Sequence, residues 1–288
     1  MSRLTAAQAI FFVVLFFSSL FVAIFGLFMP ARLAAMFTWV DLSTLSARFL
    51  GAIYAFGAFF MLGCVLARRQ GEVRGAVQLI LLWTGVLLII SVLNISAFDF
   101  TKLPARAWLT SYVLYPIVAV WLTVRNPEML AAVDLPGPEL EAWAKWFLLL
   151  QGVLFTLLAA FLFFFPAFMV TAWPWPVTPL LAQMYSGPLL AYGFGSLIFS
   201  RQDKWIGIRA IVPAMVIFTD ATLFVSLLNY DAFSKNNPMT TVWFFWFAIS
   251  TIVLLLMGFM AVQVREEPPS LPSKVTKSTK STKGTKAR

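Results

Sequence analysis

The chain has 288 residues, of which 61% are hydrophobic and 11% are charged, and its formal net charge is +9. Soluble domains carry about 25% charged residues, so this composition indicates a protein whose outer surface faces lipid. The absence of histidine and the single cysteine, Cys64, exclude histidine-ligated metal or haem sites, a Ser-His-Asp triad and an internal disulfide, and we expect neither metal nor cofactor.

Eight segments meet the length requirement of a membrane-spanning helix, which is about 20 mostly apolar residues. In chain order they cover roughly 9–29, 47–67, 76–96, 107–124, 145–165, 180–200, 208–229 and 241–263. Backbone polar groups cannot stay unpaired in lipid. The sequence therefore predicts an all-α integral membrane protein with eight transmembrane helices.

The second half of the chain repeats the first. A shift of 136 residues, which becomes 135 after a one-residue gap, aligns prolines, glycines, asparagines and tryptophans of the two halves. The aligned pairs include Pro30 with Pro166, Gly51 with Gly187, Asn94 with Asn229, and Trp108 with Trp243. This pattern predicts two tandem four-helix repeats. Four helices are an even number, so both copies insert in the same direction and are related by a pseudo-twofold axis along the membrane normal.

The repeats define the expected domain organisation. The first repeat covers 1–124, a cytoplasmic linker covers 125–144, and the second repeat covers 145–264. The last segment, 265–288, is rich in Lys, Thr and Ser and has no apolar periodicity. That composition predicts a disordered basic tail on the cytoplasmic side.

Lysine and arginine are distributed unevenly between the two sides of the predicted membrane. The side with both termini carries most of them, and positively charged loops stay in the cytoplasm. The sequence therefore predicts cytoplasmic N- and C-termini in the plasma (inner) membrane. Trp39, Trp173 and Trp175 fall in loops on the other side, where we expect them to form an aromatic belt at the membrane surface.

Asp220 is the main candidate for a functional polar residue. It lies about 12 residues into the seventh segment, so its carboxyl group is expected near mid-bilayer, where a charge costs about 2.5–3.5 kcal/mol. Asp220 and the adjacent Thr219 are therefore a candidate site for a proton, a cation or an amine. The alternative is a neutral carboxyl group that is hydrogen-bonded inside the bundle, since burial disfavours the charged form.

A Ser-x-x-Asn motif closes the third helix of each repeat. Ser91 and Asn94 form the first copy, and Ser226 and Asn229 form the second. The spacing places both side chains of a copy on one helix face. They are expected to cap the helix end and to join helices by hydrogen bonds. The alternative is a polar vestibule that opens on the extracytoplasmic side and could hold a ligand or ion.

Small residues recur in the second helix of each repeat. Spacing by four residues allows close helix approach in a membrane. The pattern favours helices 2 and 6 as a central packing pair, with dimerisation through the same residues as the alternative. The residues are Gly51 and Ala55 in the first repeat, and Gly187, Ala191 and Gly195 in the second.

Basic residues near the helix ends are candidates for lipid headgroup binding. Arg48 begins the second helix, where an ion pair with Asp41 or a contact with lipid phosphate is expected. The other candidates form a duplicated cytoplasmic rim that would contact anionic headgroups. They are Arg68, Arg69, Arg74, Arg201, Lys204 and Arg209.

The sequence shows no catalytic motif and no pair of mid-membrane carboxylates. It therefore favours an accessory, scaffold or lipid-interacting membrane component. The alternative is a proton- or cation-linked transporter or channel for a small or amphipathic solute, and a lipid-handling enzyme is least favoured. The expected partners are the bilayer, anionic headgroups, and another membrane protein or a second copy of the chain, but not nucleic acid.

Overall fold

The structure, a computed structural model, describes residues 4–67, 73, 75–126 and 137–263. Arg68, Arg69 and Arg74, most of the linker and the tail lie outside these residues. The described part is all-helical, with one isolated β-bridge between Glu139 and Lys204. Its α-helices are α1 (Ala6–Phe28), α2 (Pro30–Met36), α3 (Thr44–Leu66), α4 (Ala76–Leu93), α5 (Leu103–Arg125), α6 (Ala142–Phe164), α7 (Pro166–Ala172), α8 (Pro179–Phe199), α9 (Val212–Leu228) and α10 (Pro238–Gln263).

Six helices are long and apolar enough to span a membrane, namely α1, α3, α4, α5, α6 and α10. The chain is thus a multi-pass helical membrane protein. The remaining two predicted spans are helical but differ from this set. Helix α9 has only 17 residues. Helix α8 is continuous, but Gly, Ser, Gln and Tyr residues, nearly all of them buried, interrupt its run of apolar residues.

Prolines set several of the helix boundaries. Helix α1 ends at Phe28 because Pro30 disfavours helical backbone at the preceding residue, and the seven-residue helix α2 begins at Pro30 itself. Helix α6 is followed by α7 in the same way, at Pro166. The segment predicted at 208–229 begins its α-helix later, at Val212, because Pro213 fits the first helical turn, where no backbone N–H is needed.

The two halves of the chain pack into each other. Helix α3 packs along α1 and α9, and α8 packs along α6 and α4. Helices α5 and α10 lie outside, against α4 and α9 respectively. The helices α3, α4, α8 and α9 therefore form the centre, and the apolar faces of α1, α5, α6 and α10 are exposed toward lipid.

The small residues of α3 and α8 do pack helices closely, but not against each other. The space for a Cβ at Gly51 is occupied by the backbone of Gly26 and Leu27 in α1. Gly187 faces Trp83 and Leu87 of α4 instead. The central pair expected from the sequence is therefore absent. Helix α3 packs closely on α1 of its own half, whereas α8 packs closely on α4 of the other half.

The remaining small residues of the motif have similar roles. Ala55 is buried inside the bundle. Gly195 faces Leu79 of α4, and Ala191 forms part of the wall of a cavity. Small side chains at these positions leave room for bulky residues of α4.

Several tryptophans expected at the membrane surface are buried. Trp39, Trp173 and Trp175 are each less than 10% exposed, because the short helices α2 and α7 turn the following loops back over the bundle. Trp175 donates a hydrogen bond from Nε1 to Ser46 Oγ at 3.1 Å. At the opposite end, Trp146 is exposed, as expected for an interfacial residue.

The contact between Gly26 and Gly51 can be tested by adding one methyl group. A Cβ at Gly26 would lie 2.5 Å from Gly51 Cα, a backbone atom that cannot rotate away. We expect Gly26→Ala to destabilise the protein by about 1–3 kcal/mol, as overpacking does, measured as thermal unfolding in mild detergent. Gly85→Ala is the matched control, since a Cβ there meets nothing within 4 Å. Equal stability of the two variants would contradict the close α1–α3 contact.

Candidate functional site

A cavity of about 440 Å³ lies in the first half of the chain. It occupies the gap between the pair α1 and α3 and the pair α4 and α5, which do not pack closely against each other. Ala191 of α8 contributes to the wall. The volume is in the range of small-molecule binding sites, which are mostly apolar with a few polar groups.

The cavity wall is largely aromatic. Trp83 stands parallel to Phe56, with ring centroids 6.4 Å apart, and edge-on to Tyr54 at 5.3 Å. At the end of the bundle where α1 ends and α5 begins, which we call the outer end, Trp39 and Trp108 form the rim of the cavity, with ring centroids 5.2 Å apart. These flat surfaces suit an apolar molecule and hold each other in fixed orientations.

Hydroxyl groups supply the polar part of the wall. Tyr54 and Tyr112, both buried, share a short hydrogen bond between their hydroxyls. Tyr115 and Ser18 are joined in the same way at 2.9 Å. Thr84 donates to a backbone carbonyl of its own helix at 2.6 Å. These groups are therefore satisfied within the protein.

Two further hydroxyls on the wall have no such partner. Ser19 and Ser111 line the cavity, and neither forms a hydrogen bond with any described residue of the chain. Ser19 lies nine residues before the end of α1, and Ser111 lies eight residues after the start of α5. At a rise of 1.5 Å per residue, both lie about 12–14 Å from the outer helix ends.

The most exposed residues of the cavity wall lie on α1 and α5, from which we infer that the cavity opens between these two helices. Phe21 on α1 and Leu103 on α5 both line it, and they are 49% and 70% exposed. Below the opening the two helices meet, where Phe11 lies 6.4 Å from Tyr115 between ring centroids. The entrance therefore lies on the surface of the bundle that carries exposed apolar residues.

The corresponding gap in the second half contains aromatic side chains. The shift that aligns the halves places Phe155 at the position of Ser19, and Trp246 at that of Ser111. Phe155 contacts Tyr192 with centroids 4.8 Å apart, and it also lies 6.3 Å from Trp246. Aromatic side chains thus occupy these aligned positions in the second half of the chain.

Asp220 and Thr219 lie outside the cavity. Thr219 is buried and donates to the carbonyls of Met215 and Val216. Asp220 is half-buried on the side of α9 that faces Thr251 of α10. Among the described residues, its buried Oδ1 forms no hydrogen bond, and neither does the buried Oγ1 of Thr251 that faces it.

The two Ser-x-x-Asn motifs make matching hydrogen bonds. Asn94 and Asn229 each end a helix and donate from Nδ2 to the carbonyl four residues earlier, at 3.0 and 2.7 Å. Ser91 Oγ accepts from Trp108 Nε1 at 3.0 Å, and Ser226 Oγ accepts from Trp243 at the same distance. These side chains cap the helices and fix the indoles.

Each capping asparagine also reaches the other half of the chain. Asn94 donates to Gln183 Oε1 of α8 at 3.3 Å. Asn229 Oδ1 accepts from Arg48 Nη1 at 2.9 Å. Arg48 thus bonds an asparagine of α9 rather than Asp41, because its side chain lies between α3 and α9 while Asp41 is exposed in the preceding loop. Its Nε is buried without a partner.

The described part of the basic rim contains Arg201, Lys204 and Arg209. Lys204 pairs with Glu139 at 3.6 Å. Next to it, Lys145 Nζ lies 2.8 Å from Asp203 Oδ1 and lowers the pKa of that exposed carboxyl. Arg201 is exposed and Arg209 is half-buried on the same surface.

No sequence motif points to the cavity residues. The signal in the sequence is a difference between aligned positions. The first half has the small, polar Ser19 where the second half has the bulky Phe155, which indicates space in the first half. Within the described residues, no group of three or more His, Cys, Asp and Glu side chains could hold a metal ion.

Comparison with known proteins adds no assignment. A scan against protein-family models, a search of curated proteins and a search of solved structures each returned no match.

The tyrosine pair in the cavity wall provides a test of its hydrogen bond. Tyr112→Phe would leave the buried Tyr54 hydroxyl unpaired, which we expect to cost about 1–3 kcal/mol of stability. Adding Tyr54→Phe removes both partners, so the double variant should lose less than the sum of the single variants. Tyr230→Phe, at an exposed site, is the control. Additive losses in thermal unfolding would show that the two hydroxyls do not interact.

Proposed function

We propose that the chain is a lipid-interacting membrane protein that binds a small, mainly apolar molecule in the cavity between α1, α3, α4 and α5. The observation that carries this proposal is the aromatic cavity itself, which opens on the apolar side of the bundle. A ligand would enter from lipid between α1 and α5. Contact with the hydroxyls would hold its polar end about halfway along the helices.

We further propose eight membrane spans in two tandem repeats, of which the first binds and the second is structural. Helices α1 and α6 have 23 residues each, and both precede a seven-residue helix that starts with proline. The matched Trp-to-Ser and Asn-to-carbonyl hydrogen bonds support the same relation. In this proposal, aromatic rings occupy the corresponding space in the second repeat.

The proposed topology places both termini in the cytoplasm of a cell with the protein in its plasma membrane. Arg201, Lys204 and Arg209 would then face the cytoplasmic leaflet, where anionic headgroups attract Lys and Arg. An accessory or scaffolding role, with a membrane-protein partner or a second copy of the chain, is compatible with ligand binding. The exposed apolar faces are available to either.

A proton- or cation-linked transporter is the second candidate function. The observation in its favour is Asp220, whose buried Oδ1 lacks a hydrogen-bond partner. An ionisable residue within a membrane span often marks a transport pathway. However, Asp220 is separated from the cavity, so binding and coupling would take place at different sites. A lipid-handling enzyme gains no support, because the described cavity wall contains no carboxylate or cation.

The number of spans can be tested by cysteine labelling from outside the cell. In a Cys64→Ala background, Asp99→Cys should react with an impermeant maleimide, and Glu141→Cys should not. Arg201→Cys lies between α8 and α9 and decides the question. We expect it to be protected, because eight spans place it in the cytoplasm. Labelling of Arg201→Cys in intact cells would mean that α8 and α9 do not cross the membrane.

The binding proposal can be tested by filling the cavity. The double variant Ser19→Phe, Ser111→Trp introduces the residue types of the aligned positions in the second half. We expect the wild type to retain an apolar molecule during purification in mild detergent, detected by native mass spectrometry and organic extraction. The double variant should lose it. Leu157→Phe, on the exposed face of α6, is the control that should retain it.

Three outcomes separate the candidate functions. If the wild type and the filled variant carry the same molecules in equal amounts, the cavity is not a binding site. Asp220→Asn is expected to leave the bound molecule in place, since Asp220 does not line the cavity. If Asp220→Asn instead abolishes a measured solute uptake at equal membrane abundance, the transporter becomes the better assignment.

A further inference from the structure

We infer that the cavity is specific for an uncharged amphipathic molecule whose hydroxyl or carbonyl group is bound by Ser19 and Ser111. This inference rests on the proposed binding function and adds the chemical class of the ligand. It follows from the charge of the wall, the hydrogen-bonding state of its hydroxyls, and their depth along the helices.

The described wall of the cavity carries no formal charge that could pair with an ionised ligand. The described residues that line the cavity include no Asp, Glu, Lys or Arg. Transfer of an ionised group from water into such a site is unfavourable unless the group is paired and hydrogen-bonded. A carboxylate or phosphate group of a ligand would have no counter-charge there, and an ammonium group would meet only the faces of aromatic rings. The wall therefore favours a neutral polar group on the bound part of the ligand.

Unused hydrogen-bonding capacity on the wall lies at Ser19 and Ser111, and at the rim the buried Nε1 of Trp39 also has no partner among the described residues. Tyr54 and Tyr112 bond each other, and Ser18 bonds Tyr115, so each of these hydroxyls already has a partner, and only one O–H of the tyrosine pair is left to donate. Ser19 and Ser111 have no partner among the described residues. A hydroxyl or carbonyl group at this point would satisfy them, whereas an alkane or an acyl chain would leave them unpaired.

The depth of the serines limits which lipids could reach them. Both lie about 12–14 Å from the outer ends of α1 and α5, which is near the middle of a hydrocarbon core of about 30 Å. A phospholipid headgroup at the membrane surface cannot reach this depth. The flat rings of Trp83 and Phe56 favour a ligand with a planar or ring-bearing body that carries its polar group into the cavity.

A matched pair of probes tests the inference directly. 1-Pyrenebutanol and 1-pyrenebutyrate share one planar body and differ in the end group, which is a hydroxyl or, at about pH 8, an ionised carboxylate. Binding to the full-length protein in uncharged detergent is followed by quenching of tryptophan fluorescence. We expect the alcohol to bind at least about tenfold more tightly than the carboxylate.

Serine variants identify the groups that bind the hydroxyl. Ser19→Ala and Ser111→Ala should each weaken binding of the alcohol by about two- to tenfold, as the loss of one hydrogen bond does. Binding of 1-methylpyrene, which has no polar end, should be unchanged. Ser250→Ala, at a buried serine of α10, is the matched control and should bind all probes as the wild type does.

The outcomes distinguish this inference from the proposal on which it rests. Equal binding of both charged and neutral probes, or alcohol binding that is insensitive to Ser19→Ala and Ser111→Ala, would overturn the inference and leave an apolar binding cavity. Tighter binding of the carboxylate would also overturn it. If no probe binds the folded wild type and no molecule co-purifies with it, the binding function itself is refuted.

Discussion

The structure depends on the way in which the two halves of the chain hold each other. Helix α4 packs against α8, and α9 packs against α3, so the inner helices of each half are supported by the other half. Small residues allow this close approach, as Gly187 does beside Trp83 and Leu87. Because α3 and α4 gain their support elsewhere, they need not pack on each other, and the gap between them can remain open.

The sequence predicted the helices well and their partners poorly. Within the described residues, each of the eight apolar segments matches an α-helix within a few residues, and six of these helices are long and apolar enough to span a membrane, because length and hydropathy are local properties. The partner of Gly51 is not local, since a stripe of small residues states only that some helix approaches closely. Arg48 is a similar case: Asp41 is nearer in sequence, whereas Asn229 is nearer in space.

The structure also distinguishes buried tryptophans from exposed ones, which the sequence alone could not do. Trp39 and Trp175 occupy loop positions that are typical of interfacial residues, but α2 and α7 fold these loops onto the bundle. Their rings then form part of the outer rim and of the packing between halves. The candidate site was missed for a related reason, because a cavity is defined by what several helices leave unfilled. In the sequence, the cavity is indicated only by the alignment of the small Ser19 with the bulky Phe155.

The position of the cavity entrance has a consequence for how occupancy would be set. In the proposed function, an opening between α1 and α5 on the apolar side of the bundle would draw its ligand from the bilayer and not from water. Occupancy would then follow the mole fraction of the ligand among the surrounding lipids, since partitioning concentrates an apolar molecule there before it meets the protein. A site of modest intrinsic affinity would be filled whenever that component is abundant. The occupancy of the site would then vary with the lipid composition of the membrane.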